Sequence, residues 1–342
     1  EKIREVIVNI SGGNVSSETY KYELPISGRE INEADMRRAL AQGNGIQHDP
    51  DYEVLHCLPV GYSLDSTRGI RDPRGMFAET LGIEINIISA RSAILRNLAN
   101  CLGRCHLDIE IAVASPYASG LACLVEDEVD LGVTIVDMGG GTTTIAVFYD
   151  GEVIHADSIP VGGQLVTSDI ARGLSTSVAH AERMKTLYGS TIPSPSDERE
   201  LIDVPLIGED PNNQPNHVPR SLLNGIIRPR IEETFELVRS RLEIAGMDRI
   251  AGRRLVLTGG ASQLQGIREL ATLVLEKQIR MGRPMKMNGL AEATSGPAFS
   301  TCAGLVRFAA DRHSDMRDQL DTVPTGVSGR LSRLSDWLRE NF

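Results

Sequence analysis

Apolar and polar positions in the first part of the chain follow two periods, which predict strands and helices. Runs that alternate, or that are rich in β-branched residues, are typical of strands, and apolar positions three and four apart are typical of one helix face. On this basis the pattern predicts strands at 3–10, 53–65, 83–90 and 109–115, and helices at 26–42, 91–105 and 117–125. Asn32 precedes acidic residues in the first of these helices, as an N-cap does.

The second part of the chain repeats the alternation of strands and helices. Residues 132–163 predict a meander of three strands, with a hairpin turn at 149–152. Further on, the pattern predicts helices at 163–175, 177–190 and 228–246, short strands at most in 191–220, and a strand, a Gly turn and a helix in 253–275. Because meanders are antiparallel and helices alternate with them, we expect an α/β fold with mixed sheets and helices on both faces, repeated in two halves.

The end of the chain changes character twice. Residues 311–328 are polar and carry Pro and Gly, which predicts a flexible linker. In residues 329–342 one stripe of a helix would carry Leu331, Leu334, Trp337, Leu338 and Phe342, with Arg330, Arg333 and Arg339 beside it. One interpretation is a terminal helix docked on its own domain. The polar linker favours the other, a helix lying on an anionic membrane surface.

Composition restricts the class of protein. The length of 342 residues predicts two domains or one elaborate domain. Only 4% of residues are aromatic, so the core must consist mainly of Ile, Leu, Val and Ala. A net charge of -11 argues against bulk nucleic-acid binding, because most of the surface would repel phosphate. No apolar run is long enough to predict a transmembrane helix.

The cysteines indicate a reducing compartment. There are five, an odd number, and no pair has C-x-x-C spacing, so we expect buried free thiols. Cys101, Cys105 and His106 lie close together in the sequence. No second ligand pair has zinc-like spacing, so a metal site there is not favoured. We predict no protein-bound metal held directly by side chains.

The stretch VDMGGGTTTIAVF at 136–148 places an acid and a glycine-rich bend between two strand-like runs. Gly139, Gly140 and Gly141 carry no Cβ, so the bend lets backbone N–H groups approach an anion. The threonines add hydroxyl donors, and Asp137 is placed to hold a metal-bound water. The alternative is a plain hairpin with a glycine turn. A Walker loop is excluded because no G-K-[ST] follows, and a Rossmann fingerprint because no helix follows.

Two further motifs favour a ligand over a plain hairpin. In LVLTGGASQLQG a β-branched strand ends in Gly259 and Gly260 before a helix, and such a diglycine lets a flat ring or a ribose approach the backbone. In AERMKTLYG, Glu182 and Lys185 share one helix face. Taken alone, the Glu182–Lys185 spacing is also typical of a solvated ion pair on a helix surface.

Together these motifs resemble those of the actin, sugar-kinase and heat-shock-chaperone superfamily of ATP-binding proteins. VDMGGGTTTIAV is similar to its second phosphate loop, VLTGGASQLQG to its adenosine loop, and AERMKTLYG to the helix whose Glu and Lys reach the ribose and base. The resemblance implies ATP and Mg²⁺ as ligands. The nucleotide-binding residues it implies are Asp137, Gly139, Gly140, Gly141, Thr142, Thr143, Glu182, Lys185, Gly259, Gly260 and Ala261.

The resemblance narrows to the FtsA family of bacterial cell-division proteins and covers nearly the whole chain. ISGREINEADMRRAL and VLHCLPVGYSLDSTRGIRDPRGM are similar to its inserted subdomain 1C. The fold implied is actin-like (ribonuclease H-like), with duplicated mixed sheets. Its expected parts are 1–84 (subdomain 1C), 85–130 (the remainder of 1A), 131–165 (2A, first part), 166–249 (2B), 250–310 (2A, second part), 311–328 (linker) and 329–342 (membrane helix).

One element of the superfamily is missing from the sequence. No D-x-G-T/S-type first phosphate loop precedes Ile10, and the chain opens with Glu1 in a strand-like run. We expect that an upstream piece of several tens of residues is absent; the alternative is a phosphate clamp that this chain does not close.

The family resemblance also implies a function. Such a protein binds ATP, is a weak ATPase at most, polymerises, and tethers filaments of the tubulin-like protein FtsZ to the cytoplasmic membrane face at the division septum, alongside other division proteins. It implies that Arg230 and Glu233 receive the FtsZ C-terminal peptide and that the final amphipathic helix binds the membrane. The alternatives are a soluble ATPase or phosphotransferase of the superfamily, or a PilM-like pilus-assembly protein, which should lack the amphipathic tail.

Overall fold

The computed structural model describes residues 2–43, 49–65, 67–208, 216–287, 289 and 291–321. The strands are β1 (Glu5–Ile10), β2 (Ser16–Pro25), β3 (Tyr52–Leu64), β4 (Thr67–Ile70), β5 (Thr80–Arg91), β6 (Asp108–Ala114), β7 (Val133–Met138), β8 (Thr143–Tyr149), β9 (Glu152–Ile159), β10 (Leu201–Val204), β11 (Asn216–Pro219), β12 (Arg254–Thr258) and β13 (Gln278–Met281). The α-helices are α1 (Glu33–Gly43), α2 (Ser92–Gly103), α3 (Ser115–Cys123), α4 (Glu126–Leu131), α5 (Gly163–Gly173), α6 (Val178–Tyr188), α7 (Arg220–Ile244), α8 (Met247–Ile250), α9 (Ile267–Leu275) and α10 (Ser300–Asp321). Short 3₁₀ helices span Gly260–Gln263, Glu292–Thr294 and Pro297–Phe299.

The main sheet is mixed, as the sequence predicts. It has nine strands in the order β13-β12-β7-β8-β9-β2-β5-β3-β4. β13, β12 and β7 are parallel, whereas the meander β7-β8-β9 and the strands β2, β5, β3 and β4 pair antiparallel. β1 pairs with β6 in a separate parallel sheet, and β10 pairs with β11. The expected hairpin at 149–152 is present, since Tyr149 pairs with Glu152.

Three apolar cores hold these layers together, and aliphatic residues dominate them as the composition requires. The first lies where α5, α7 and α9 cover the β12-β7-β8 region, and the second where α2, α3 and α10 cover the other side. The third lies between α1 and the β2-β5-β3 sheet. Asn32 caps α1 as predicted, with its Oδ1 accepting from the N–H of Ala34 (2.9 Å).

Helix α7 begins at Arg220, so the predicted start at 228 is wrong. Pro229 lacks an N–H and costs a helix interior about 3 kcal/mol. The structure keeps Pro229 inside the helix. Packing outweighs the cost, because an apolar face is buried on both sides of the proline: Leu223, Ile227, Ile231, Phe235, Val238 and Leu242.

Helix α10 extends to Asp321, so the predicted linker does not begin at 311. The polar residues of 311–321 continue the helix that Ser300 begins. The remainder of the predicted linker and the whole of 329–342 lie outside the described residues. None of the described helices combines the length and the apolar character that a membrane-spanning segment needs.

The strands of the expected subdomain 1C connect to both neighbouring layers. Ser16 of β2 pairs with Asp157 of β9, and the Asn86 side chain donates to the carbonyl of Val153 (2.7 Å). Because β5 continues to Arg91, the structure has no break at residue 84. The subdomain boundaries stay predictions.

His56 of β3 joins the same unit to α3. The N–H of Ala114 donates to Nε2 of His56 (2.9 Å), and the imidazole packs edge-on against Tyr117 with ring centroids 4.9 Å apart. Burial lowers the pKa of His56 to about 4, so the ring is neutral and free to accept this hydrogen bond at neutral pH.

The cysteines differ from expectation in their burial. All five are free, but only Cys123 is buried; Cys57 is half-buried, and Cys101, Cys105 and Cys302 are exposed. The prediction of buried thiols is therefore correct for Cys123 and wrong for the three exposed residues.

Helices α3 and α10 touch backbone to backbone. A Cβ added at Gly304 would lie 1.8 Å from the carbonyl oxygen of Ala118, a distance that no side-chain rotation relieves. Gly304 therefore fixes where the two helices cross.

We predict that Gly304→Ala lowers the free energy of unfolding by about 1–3 kcal/mol, because it forces α3 and α10 apart. Chemical denaturation measures this change. The matched control is Gly225→Ala, also inside a helix, where an added Cβ meets nothing within 4 Å. That substitution should raise stability by about 0.5–1 kcal/mol through helix propensity. Equal effects of the two substitutions would contradict the packing interpretation.

Candidate functional site

A cleft of about 1160 Å³ lies between α5, α6 and the loops that follow β7 and β12. It brings together all three motifs that the sequence singles out. From the predicted set, the residues that line it are Gly139, Gly140, Glu182, Lys185, Gly260 and Ala261. Its size suits an organic ligand rather than a single ion.

The loop after β7 forms one wall of the cleft. The N–H of Gly139 donates to the carbonyl of Thr142 (2.8 Å), which closes the turn between β7 and β8. The first N–H groups of α5 then donate to the loop, Gly163 to Gly139 O (3.0 Å) and Gln164 to Gly140 O (2.8 Å). A Cβ at Gly162 would lie 2.5 Å from Gly140 O, so this contact needs glycine there.

The loop after β12 forms the floor. Gly259 has φ +91°, a conformation that other residues rarely adopt. A Cβ on it would lie 2.3 Å from Oδ1 of Asp137 and 2.4 Å from the carbonyl oxygen of Met138. Glycine is therefore required here both for its backbone angle and for the close approach of two strand ends.

Lys185 is the only cationic residue among the described residues that line the cleft. Its Nζ donates to the carbonyl of Gly163 (3.1 Å), to Oγ1 of Thr167 (2.8 Å) and to Oε2 of Glu182 (2.8 Å). The Lys185 side chain is only 15% exposed, unlike a solvated surface pair. Burial opposes ionisation of Glu182, but hydrogen bonds from Lys185 and Thr167 outweigh it and lower the pKa of Glu182.

Asp137 lies beneath the loop rather than on the cleft wall. Its Oδ2 accepts hydrogen bonds from Oγ of Ser119 on α3 (2.5 Å) and from Oγ1 of Thr301 on α10 (2.8 Å). Burial raises the pKa of Asp137, and the two hydroxyl donors offset part of that rise. Within the described residues, no group of three His, Cys, Asp or Glu side chains is placed to hold a metal ion.

Several predicted residues support the cleft without lining it: Asp137, Gly141, Thr142, Thr143 and Gly259. The hydroxyl of Thr143 donates to the carbonyl of Val161 (2.7 Å), so it stabilises the meander and is not the free donor that the sequence predicted.

The sequence analysis missed residues on α5. Gly163, Gln164 and Thr167 line the cleft, and Thr167 bridges Lys185 and Glu182. The Gly-Gly pair at 162–163, at the start of a helix, is a signal that would have identified this wall.

Arg230 and Glu233 lie in the middle of α7, not at its start. Their side chains pair with each other (Arg230 Nη1 to Glu233 Oε2, 2.5 Å), and Arg230 also pairs with Asp169 of α5 (Nε to Oδ2, 2.5 Å). Glu233 is half exposed (54%), whereas Arg230 is 26% exposed. The predicted membrane residues Leu331, Leu334, Trp337, Leu338 and Phe342 lie outside the described residues.

Two family models match the chain. The model described as "Cell division protein FtsA" matches residues 134–304, and the model described as "SHS2 domain inserted in FTSA" matches residues 12–89. The second range leaves β1 outside the inserted domain, in line with the pairing of β1 with β6.

Solved structures show the fold. The chain is similar to the structure titled "PilM-PilN type IV pilus biogenesis complex" (TM-score 0.55, 17% identity, 88% of this chain and 78% of that one). It is also similar to MreB 5 of Spiroplasma citri bound to AMPPNP (TM-score 0.51, 18% identity, 67% of this chain and 68% of that one). At these identities the likeness concerns the fold alone, and the predicted actin-like fold with an inserted domain is confirmed.

Relatives of known name extend over nearly the whole chain. The cell division protein FtsA of Rhizobium meliloti (strain 1021) is 46% identical over 99% of this chain and 77% of its own length. The protein of the same name from Escherichia coli (strain K12) is 30% identical over 100% of this chain and 82% of its own length. The chain therefore belongs to the FtsA family of actin-like cell-division proteins.

Proposed function

We propose that this protein binds ATP with Mg²⁺ in the cleft, polymerises, and tethers FtsZ filaments to the cytoplasmic membrane at the division site. The observation that carries the proposal is the convergence of the loop after β7, the Glu182–Lys185 pair and the loop after β12 on one cleft. Family membership supports the role in cell division.

The residues of the cleft fit a nucleotide. Gly139, Gly140 and Gly260 offer backbone free of side chains, which allows a phosphate chain or a ribose to approach closely. Lys185 supplies a positive charge whose position is fixed by its ion pair with Glu182. Glu182 in turn supplies an acceptor for ribose hydroxyls. Residues of both signs at fixed positions suit a ligand that carries phosphates and hydroxyl groups.

The residues also fit Mg²⁺ that arrives with the nucleotide. Mg²⁺ keeps several waters and binds through one or two carboxylates together with substrate phosphates, so it does not need a cluster of protein ligands. Asp137 would hold it through a water, and the metal would neutralise phosphate charge.

ATP would act mainly as a conformational ligand. Because a ligand shifts an equilibrium only by its differential affinity for two states, ATP favours polymer assembly if it binds the assembled state better. Any ATPase activity is weak.

The proposed FtsZ contact lies on α7, and the proposed membrane contact lies in 329–342. The side chain of Glu233 is exposed and that of Arg230 is partly exposed. The positive charge of an arginine is complementary to an acidic peptide. A short amphipathic helix binds a membrane weakly, so polymerisation would supply avidity.

We predict that Lys185→Met weakens ATP binding by about tenfold or more, because a charge-assisted hydrogen bond contributes about 1.5–3 kcal/mol. Isothermal titration calorimetry with ATP and Mg²⁺ measures the Kd. The control is Lys21→Met, which removes an exposed lysine paired with Glu84 on the β2–β5 sheet. Lys21→Met should bind ATP as the unaltered chain does. Unchanged affinity in Lys185→Met would reject the assigned role of Lys185.

We predict that FtsZ pellets with anionic phospholipid vesicles only when this chain is present. Deleting 329–342 should abolish pelleting of both proteins, because the stripe of apolar residues is lost. Arg230→Gln should leave the chain on the vesicles but reduce the FtsZ pelleted several-fold.

The matched control for Arg230→Gln is Arg228→Gln, which also removes an ion pair from α7, in this case with Glu232. Arg228→Gln should pellet FtsZ normally. Vesicle binding without FtsZ recruitment by the unaltered chain would refute the tether. Equal loss in the two variants would refute the assignment to Arg230.

A further inference from the structure

We propose that Ser119 and Thr301 are positioning residues that orient the Asp137 carboxylate and thereby set the Mg²⁺-dependent part of nucleotide binding. This inference rests on the proposed function of the cleft. It concerns two hydroxyl groups on helices that do not line the cleft.

The two hydroxyls and one carboxylate oxygen form a compact group. Ser119 Oγ lies 2.5 Å and Thr301 Oγ1 lies 2.8 Å from Oδ2 of Asp137, and the two hydroxyl oxygens are 2.9 Å apart. Each hydroxyl donates its hydrogen bond to Oδ2 of Asp137. Ser119 and Asp137 are both buried, so water does not compete freely for these bonds.

The helix crossing brings the hydroxyls to this point. Gly304 lets the backbone of α10 rest on the carbonyl of Ala118. Thr301 lies three residues before Gly304 and so shares its helix face, and Ser119 follows Ala118 directly. Two residues far apart in sequence thus meet above the end of β7.

The consequence is a fixed orientation of Asp137. With Oδ2 held by two donors, the other oxygen, Oδ1, faces the loop at Gly259, where an added Cβ would lie 2.3 Å away. A carboxylate without these donors would rotate about its Cβ–Cγ bond and present either oxygen. Partners that hold a ligand in one orientation contribute to metal affinity without touching the metal.

A purely structural role predicts a different outcome, and Ser300 provides the comparison. Ser300 is buried, begins the same helix, and bonds through Oγ to Thr258 Oγ1 (2.6 Å) and Cys123, but not to Asp137. Removing its hydroxyl should affect packing while leaving Asp137 held.

The test measures the Kd for ATP by calorimetry, once with Mg²⁺ and once with EDTA, on the whole chain. The ratio of the Kd in EDTA to the Kd in Mg²⁺ should fall by about tenfold in Ser119→Ala and in Thr301→Val. The Kd measured in EDTA should stay unchanged in both. Thr301→Ser, which keeps the hydroxyl, and Ser300→Ala should retain the ratio of the unaltered chain.

Thermal unfolding of each variant separates folding from binding. If Ser119→Ala does not fold, the Thr301→Val and Thr301→Ser pair still decides the question. An unchanged ratio in Thr301→Val, or an equal loss in Ser300→Ala, would overturn the inference while leaving ATP binding intact. Absence of ATP binding by the unaltered chain would overturn the proposed function itself, and the inference with it.

Discussion

The site depends on a close approach of three backbone segments at residues without side chains. The start of α5 rests on the loop after β7 because Gly162 leaves room for the carbonyl of Gly140. The loop after β12 rests on the end of β7 because Gly259 leaves room for Met138 and Asp137. Any larger side chain at either glycine would separate these segments by more than packing tolerates. The cleft wall, its floor and the placement of Lys185 all follow from these two contacts.

The same region connects the cleft to the rest of the molecule. Asp137 lies one residue before the end of β7, and its hydroxyl partners belong to α3 and α10. Helix α3 also begins at the residue after Ala114, whose N–H is bonded to His56 of the inserted domain. A change at the carboxylate therefore acts directly on two helices, one of which leads toward the C-terminal segment. This continuity would give the proposed ligand-dependent assembly a physical route through packed elements.

The sequence predicted those parts of the site that depend on a local backbone requirement. A bend that needs bare backbone must use glycine, so 139–141 and 259–260 are visible in the sequence. Ser119 and Thr301 were missed because they are 182 residues apart, and no period or spacing links them. The sequence predicts Thr143 as a hydroxyl donor to a ligand, but only the tertiary structure shows that the Val161 carbonyl accepts its hydrogen bond.

The errors in the helices have the same cause. Pro229 and the polar residues after 310 are local signals for a helix end. In α7, tertiary packing outweighs the effect of Pro229. The strand β13 was not predicted because its four residues mix polar and apolar types, and its place is fixed only by pairing with β12. Local chemistry thus determined the motifs, whereas long-range contacts determined which of them meet.

The central claim is that three separated motifs form one nucleotide site. Hydrogen–deuterium exchange of the chain, with and without ATP and Mg²⁺, tests it most directly. The account predicts slower exchange in 139–142, 163–168, 182–186 and 259–264 together, with the same dependence on ATP concentration. Protection of one of these segments alone, or protection elsewhere with none at the cleft, would contradict it.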